Sequence, residues 1–198
     1  VNRSNNSLKF SGWMSIIGGI LLGAAHSIDY FASQETLSGK GIVFLAHIVL
    51  VFAFFGIHAA QADKNRVLGT LGLILGVIGS MIVTAIIFVE MASVTGVQTK
   101  QVLTASLNGP IQSYGPLLFV LGMILVSLSI LRNKVLSYWG AALLLVGTVI
   151  FALGTIAGSG ELLITMIGSI FKGIGFIVLG YQIGLTATHQ QDNSASLN

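Results

Sequence analysis

Lys172 stands in the middle of an apolar run, residues 161–185, that reads ELLITMIGSIFKGIGFIVLGYQIGL. A run of this length suits a membrane-spanning helix. An ammonium at its midpoint is costly in hydrocarbon, so it is expected to face a protein interior or a wet cavity. Gly173 and Gly175 beside it leave room for a partner backbone. Its expected neighbours are the hydroxyls of Ser80, Thr84 and Thr148, backbone carbonyls or water, with the aliphatic stem lying in the bundle. Such a lysine offers an anion or lipid-headgroup site, or a proton relay.

A second set of polar residues gathers toward one end of the apolar runs. His26 and Asp29 are three apart and His26 and Tyr30 four apart, so the three share a helix face. His47 falls at a similar depth in the next run, Glu90 closes the third run, and Glu161 opens the last. The candidate ligand site or ion path is therefore Lys172, His26, Asp29, His47, Glu90 and Glu161. Imidazole and carboxylate suit zinc, iron or manganese, which makes His26, His47 and Glu90 candidate metal ligands. Two histidines at equal depth on neighbouring helices could also ligate a haem axially. The plainer reading is that the carboxylates are hydrated near the interface and the histidines tie helices together by hydrogen bonds. Which cofactor, if any, is bound is not encoded here.

His58 lies eleven residues beyond His47 and projects from nearly the same face, about 16 Å away along the axis at 1.5 Å per residue. That separation suits two ends of a polar path rather than one shared ligand. The inner ends of the other runs hold no histidine, which counts against a second haem. His189 sits in the polar tail and reads as surface. There is no H-E-x-x-H pattern, no Ser-His-Asp set and no glycine loop after a strand. With no nucleophile–base pair, an enzyme is not the expected class.

These residues must be positioned by membrane helices. The chain has 198 residues, 54% of them hydrophobic and only 8% charged. Its mean hydropathy is +0.93. A soluble domain carries about 25% charged residues. Six long apolar runs, residues 10–31, 41–60, 67–91, 114–131, 135–157 and 161–185, are continuous rather than alternating, which favours helices over barrel strands. The first is too long for a signal-peptide core. The expected fold is all-α, a polytopic six-transmembrane-helix bundle formed by residues 1–185, with 186–198 as a short polar tail.

Basic residues set the expected orientation. Arg3, Lys9, Lys64, Arg66, Arg132 and Lys134 fall on one side, Lys40 and Lys100 on the other, which places both termini in the cytoplasm. The loop 92–113 is the one long connection, with a short interfacial helix expected at 100–107 and a break at Asn108-Gly109-Pro110. Pro110 and Pro116 both fall around the start of the fourth run, so no helix interior is expected to be interrupted. The net charge of +3 is spread over the loops, which gives no tract for nucleic acid. The chain has no cysteine, which excludes disulfides, thiolate metal sites and cysteine nucleophiles.

Shifting the chain by 68 positions lays the second and third runs over the fourth and fifth. Val67, Leu68, Gly72, Leu75, Gly79 and Ile82 then meet identical residues at Val135, Leu136, Gly140, Leu143, Gly147 and Ile150. Such a repeat would be parallel, an arrangement that transporters use. Gly140, Gly147 and Gly154 form a stripe, and pairs such as Gly19 and Gly23 are spaced for close backbone approach, within the chain or in a homodimer. The leading expectation is a bundle that binds or transports a small solute, ion or lipid through a polar intramembrane cavity. A membrane redox, metal or haem protein using His26 and His47 is the second class. A structural or accessory subunit held by a membrane-protein partner is the third. Membrane lipid is the common partner of all three.

Overall fold

The computed structural model describes residues 2–61, 64 and 67–195. The side chains of Arg3, Arg66 and His189, on which the charge count and the tail reading drew, lie outside the described ones. The described residues form seven α-helices: α1 (Asn2–Phe31), α2 (Leu37–Gln61), α3 (Val67–Val94), α4 (Lys100–Thr104), α5 (Asn108–Asn133), α6 (Tyr138–Gly154) and α7 (Glu161–Ala195). A 3₁₀ turn, Gly158–Gly160, leads into α7.

The expectation of six transmembrane helices is corrected. Five helices, α1, α2, α3, α5 and α7, are long and apolar enough to cross a membrane. The sixth apolar helix, α6, has 17 residues. At 1.5 Å per residue it reaches about 26 Å, short of the roughly 30 Å of a hydrocarbon core. Local chemistry clips the apolar run 135–157 at both ends. Lys134 takes a left-handed conformation, φ 54°, and closes α5. Ser137 then caps α6 by accepting from the Gly140 N–H. At the far end α6 stops at Gly154 with Thr155 as its C-cap, and Gly158, at φ +60°, then turns the chain toward α7. The even number of full-length spans that favoured both termini on one side is thereby lost. The protein is an all-α, polytopic membrane protein.

Three other expectations shift. Asn108-Gly109-Pro110 starts α5 instead of breaking a helix, and α4 ends at Thr104. Pro110 is tolerated there because a first-turn N–H has no intrahelical partner. Pro116 lies inside α5, so the Gln112 carbonyl loses its helical donor. Helix α7 also runs on to Ala195, well past 185, so the polar tail is helical over much of its length.

The six long helices close into a ring. Each packs on the next in the order α1, α7, α6, α5, α3, α2 and back to α1. Glycines set the crossings. A Cβ on Gly173 of α7 would meet the Gly19 carbonyl oxygen of α1 at 2.5 Å, and one on Gly147 of α6 would meet the Lys172 nitrogen at 2.5 Å. The glycine faces seen in the sequence are thus spent on packing within the chain. The 68-residue echo has a structural counterpart. Gly72 and Gly79 of α3 face α5, and their equivalents Gly140 and Gly147 of α6 face α7. Gln61 accepts a 3.0 Å hydrogen bond from Ser129, the residue 68 positions on.

Exposed Trp13, Tyr138, Trp139 and Tyr181 mark one end of the ring. Their common level follows from Gly12 against Gly180 and Gly140 against Leu179. Amphipathic aromatics of this kind sit at a membrane–water interface. Inside the ring, Phe54, Met123, Leu144 and Phe176 are fully buried and form the core. The space beyond that core, toward the opposite end, is where the polar residues converge.

Candidate functional site

The site is a cavity of about 640 Å³ enclosed by the ring. All six residues singled out from the sequence, Lys172, His26, Asp29, His47, Glu90 and Glu161, line it. α1, the α1–α2 turn, α2, α3, α5, α6 and α7 bring them and their neighbours together. Their roles differ once the contacts are traced.

Asp29 works as a tether. Its Oδ1 accepts from the Thr36 N–H and from the Thr36 hydroxyl, both at 2.8 Å. Thr36 Oγ1 in turn accepts from the Gly39 N–H at 2.8 Å, the bond of a helix N-cap. Gly39 is required because a Cβ there would collide with the Asp29 carboxylate. One aspartate thus closes the turn between α1 and α2 and seats the start of α2, where negative charge also favours the helix dipole.

Glu90 is committed to a residue that the sequence reading had counted only as a loop charge. Lys40 is buried four residues into α2 and reaches Glu90 at 2.7 Å and Glu35 at 2.9 Å. The Glu90 side chain is 27% exposed and that of Glu35 65% exposed, so the Glu90 arm is the less screened of the two. This cross-link between α2 and α3 was missed because no local spacing relates residues fifty apart. Its only sequence signal was a lysine already inside an apolar helix. Glu161 is exposed to water at the first turn of α7.

The histidines turn to separate partners. His26 Nδ1 lies 3.1 Å from the Leu22 carbonyl oxygen, so Nδ1 carries the proton and donates. The ring stands edge-on to Phe151 of α6 at 5.1 Å. His47 packs on Phe119 of α5 with ring centroids 4.5 Å apart. Its Nδ1 is buried without a hydrogen-bond partner. Among the described residues no group of three or more His, Cys, Asp and Glu gathers as a metal site. Glu90, the carboxylate expected beside the histidines, has Lys40 instead. Tyr30 packs on Phe31.

Lys172 is 2% exposed. Its Nζ stands 3.3 Å from the centroid of the Phe151 ring. Helical side chains lean toward the N-terminus, and Phe151 lies level with Gly168, one turn nearer the mouth. The stem therefore climbs toward the open end and the amine meets an aromatic face, a cation–π arrangement. Among the described residues no carboxylate lies within ion-pair distance of it. Two of the three expected hydroxyl neighbours are engaged elsewhere. Thr84 donates to the Ser80 carbonyl and Thr148 to the Leu144 carbonyl, while the Ser80 hydroxyl is buried without a partner. Phe151 and Phe119 were not foreseen, since neither neighbours its polar contact in sequence.

The cavity is blind. His58 does not line it and lies 3.4 Å from the Thr70 hydroxyl toward the other end. Between His47 and His58, α2 presents buried Leu50, Ala53, Phe54 and Ile57. The polar path imagined between the two histidines is filled by core. Comparison of the chain with models of protein families, with curated proteins and with solved structures found no match.

Proposed function

We propose that this protein reversibly binds a small solute, ion or lipid in the ring cavity, and passes it on, without covalent chemistry. The observation that carries the reading is Lys172: a buried amine lining a 640 Å³ space within the bundle, with no carboxylate among the described residues paired to it. Ionisable groups at membrane depth mark ligand or ion paths in general. The apolar walls and few polar groups fit the usual composition of a ligand pocket. Passage requires the core plug of Phe54, Met123 and Phe176 to rearrange, because it fills the ring beyond the cavity.

The test has two arms. Mass spectrometry and absorbance of the protein purified in gentle detergent should reveal a bound small molecule. Liposome flux of that molecule should fall with Lys172→Met. A haem band or stoichiometric metal would move the reading to the redox class with His26 and His47. Absence of any small molecule, with a protein partner copurifying stably, would replace it with an accessory-subunit role.

A further inference from the structure

We propose that the ligand is an organic acid, a carboxylate on an apolar body, with its carboxylate against the Lys172 amine and its body along the wall of Phe119 and Ile86. This inference rests on the binding reading above and narrows it to a chemical class.

The charge inventory of the cavity carries the argument. Lys40 is taken by Glu35 and Glu90. Asp29 is taken by Thr36. Glu161 is exposed to water. Lys172 is the buried basic group of the cavity that no carboxylate among the described residues pairs with. Buried ions in proteins are paired and hydrogen-bonded, because the desolvation of a lone ion is several kcal/mol or more. A Phe151 face offsets only part of that cost. An anion supplied from outside would be the partner that Lys172 lacks among the described residues.

Two further observations define the rest of the ligand. His47 also lines the cavity, is 5% exposed, and has a buried Nδ1 with no partner. A neutral imidazole supplies one N–H donor, which suits a carboxylate oxygen. Most of the remaining wall is apolar, including Leu22, Val43, Val83, Ile86 and Phe119. An inorganic anion would fill little of 640 Å³, given about 30 Å³ for one water, and would lose its hydration to hydrocarbon. A cation would face the unpaired amine. Glu161 does not bar an anion, since it lies eleven residues, or about 16 Å, along α7 from Lys172.

The acid has two routes to the site. The mouth opens among Glu35, Thr155 and Glu161. A lateral groove of about 320 Å³, between α3, α4 and α5, shares Ile86 with the cavity and would admit an acyl chain from the bilayer.

The test uses the full chain in nanodiscs, with radiolabelled octanoate as probe and empty nanodiscs as blank. Saturable octanoate binding is expected, displaced at least about tenfold better by octanoate than by octan-1-ol or octylamine, from the strength of a charge-assisted hydrogen bond. Lys172→Met should erase that preference and leave octan-1-ol binding in place. The competition on the unaltered chain stands even if the variant does not fold. Oleate supplied in the bilayer is the second arm. Binding of oleate alone upholds the acid and assigns a membrane source, and binding of octanoate alone upholds it and assigns an aqueous one. Equal displacement by octan-1-ol or octylamine would overturn the acid while leaving the binding cavity intact. No saturable binding of any of the four compounds would overturn the acid and the binding reading together.

Discussion

Replacing Gly147 with alanine should loosen the α6–α7 pair at the level of Lys172. The new Cβ would stand 2.5 Å from the Lys172 nitrogen and 2.8 Å from the Gly168 carbonyl oxygen. Carbon contacts are comfortable at about 3.5–4.0 Å, so the two helices must separate by about 1 Å. The obstructing atoms are backbone and cannot swing aside. Overpacking of this kind costs about 1–3 kcal/mol. Alanine also gains up to about 1 kcal/mol over glycine in helix propensity, which partly masks the clash. Gly184→Ala supplies the control, because a Cβ there meets nothing within 4 Å. Both sites lie inside helices, so propensity largely cancels between the variants. Gly147→Ala should then be less stable than Gly184→Ala by about 1–3 kcal/mol. Reversible unfolding of both in mixed micelles measures the difference. Stabilities within about 0.5 kcal/mol of each other, roughly the error of additivity, would refute the close crossing.

Asp29→Ala should remove two hydrogen bonds from the α1–α2 turn and cost about 1–3 kcal/mol, with faster amide exchange confined to the start of α2; unchanged exchange there would show that the tether is idle. Lys40→Met should destabilise by about 1–3 kcal/mol, because it leaves the half-buried Glu90 unpaired. Glu35→Gln should cost less than about 1 kcal/mol, since that carboxylate is mostly in water. Equal losses from the two changes in thermal unfolding would mean that the Glu90 arm carries no special weight.

The membrane class and the grouping of polar residues were legible in the sequence because both follow from simple periodicities. Unbroken apolar runs mark helices in lipid, and matching depths of His26, His47, Glu90 and Glu161 place them at one end. Capping was harder to see. The run 135–157 looks long enough to span, yet its helix starts only after the Ser137 cap and stops at Gly154, because hydropathy counts side chains and not backbone termini. Pro116 was read as a helix start, but α5 begins two turns earlier at Asn108. Partnerships across the ring were not legible at all. Lys40 with Glu90 and Lys172 over Phe151 join residues from helices whose adjacency is fixed by glycine crossings. The same blindness hid the core that separates His47 from His58.

The central claim is a solute-sized, water-open cavity inside the ring with Lys172 in its wall. The natural chain has no cysteine, so a single cysteine can be read without background. Ala152→Cys would place a thiol in the cavity wall, and Ile174→Cys would place one on the exposed outer face of α7. In proteoliposomes, a membrane-impermeant charged thiol reagent should modify Cys at 152 from one side of the bilayer and leave Cys at 174 unmodified, because a thiol in lipid neither ionises nor meets the reagent. No reaction at 152 from either side, or equal reaction at both positions, would contradict the account.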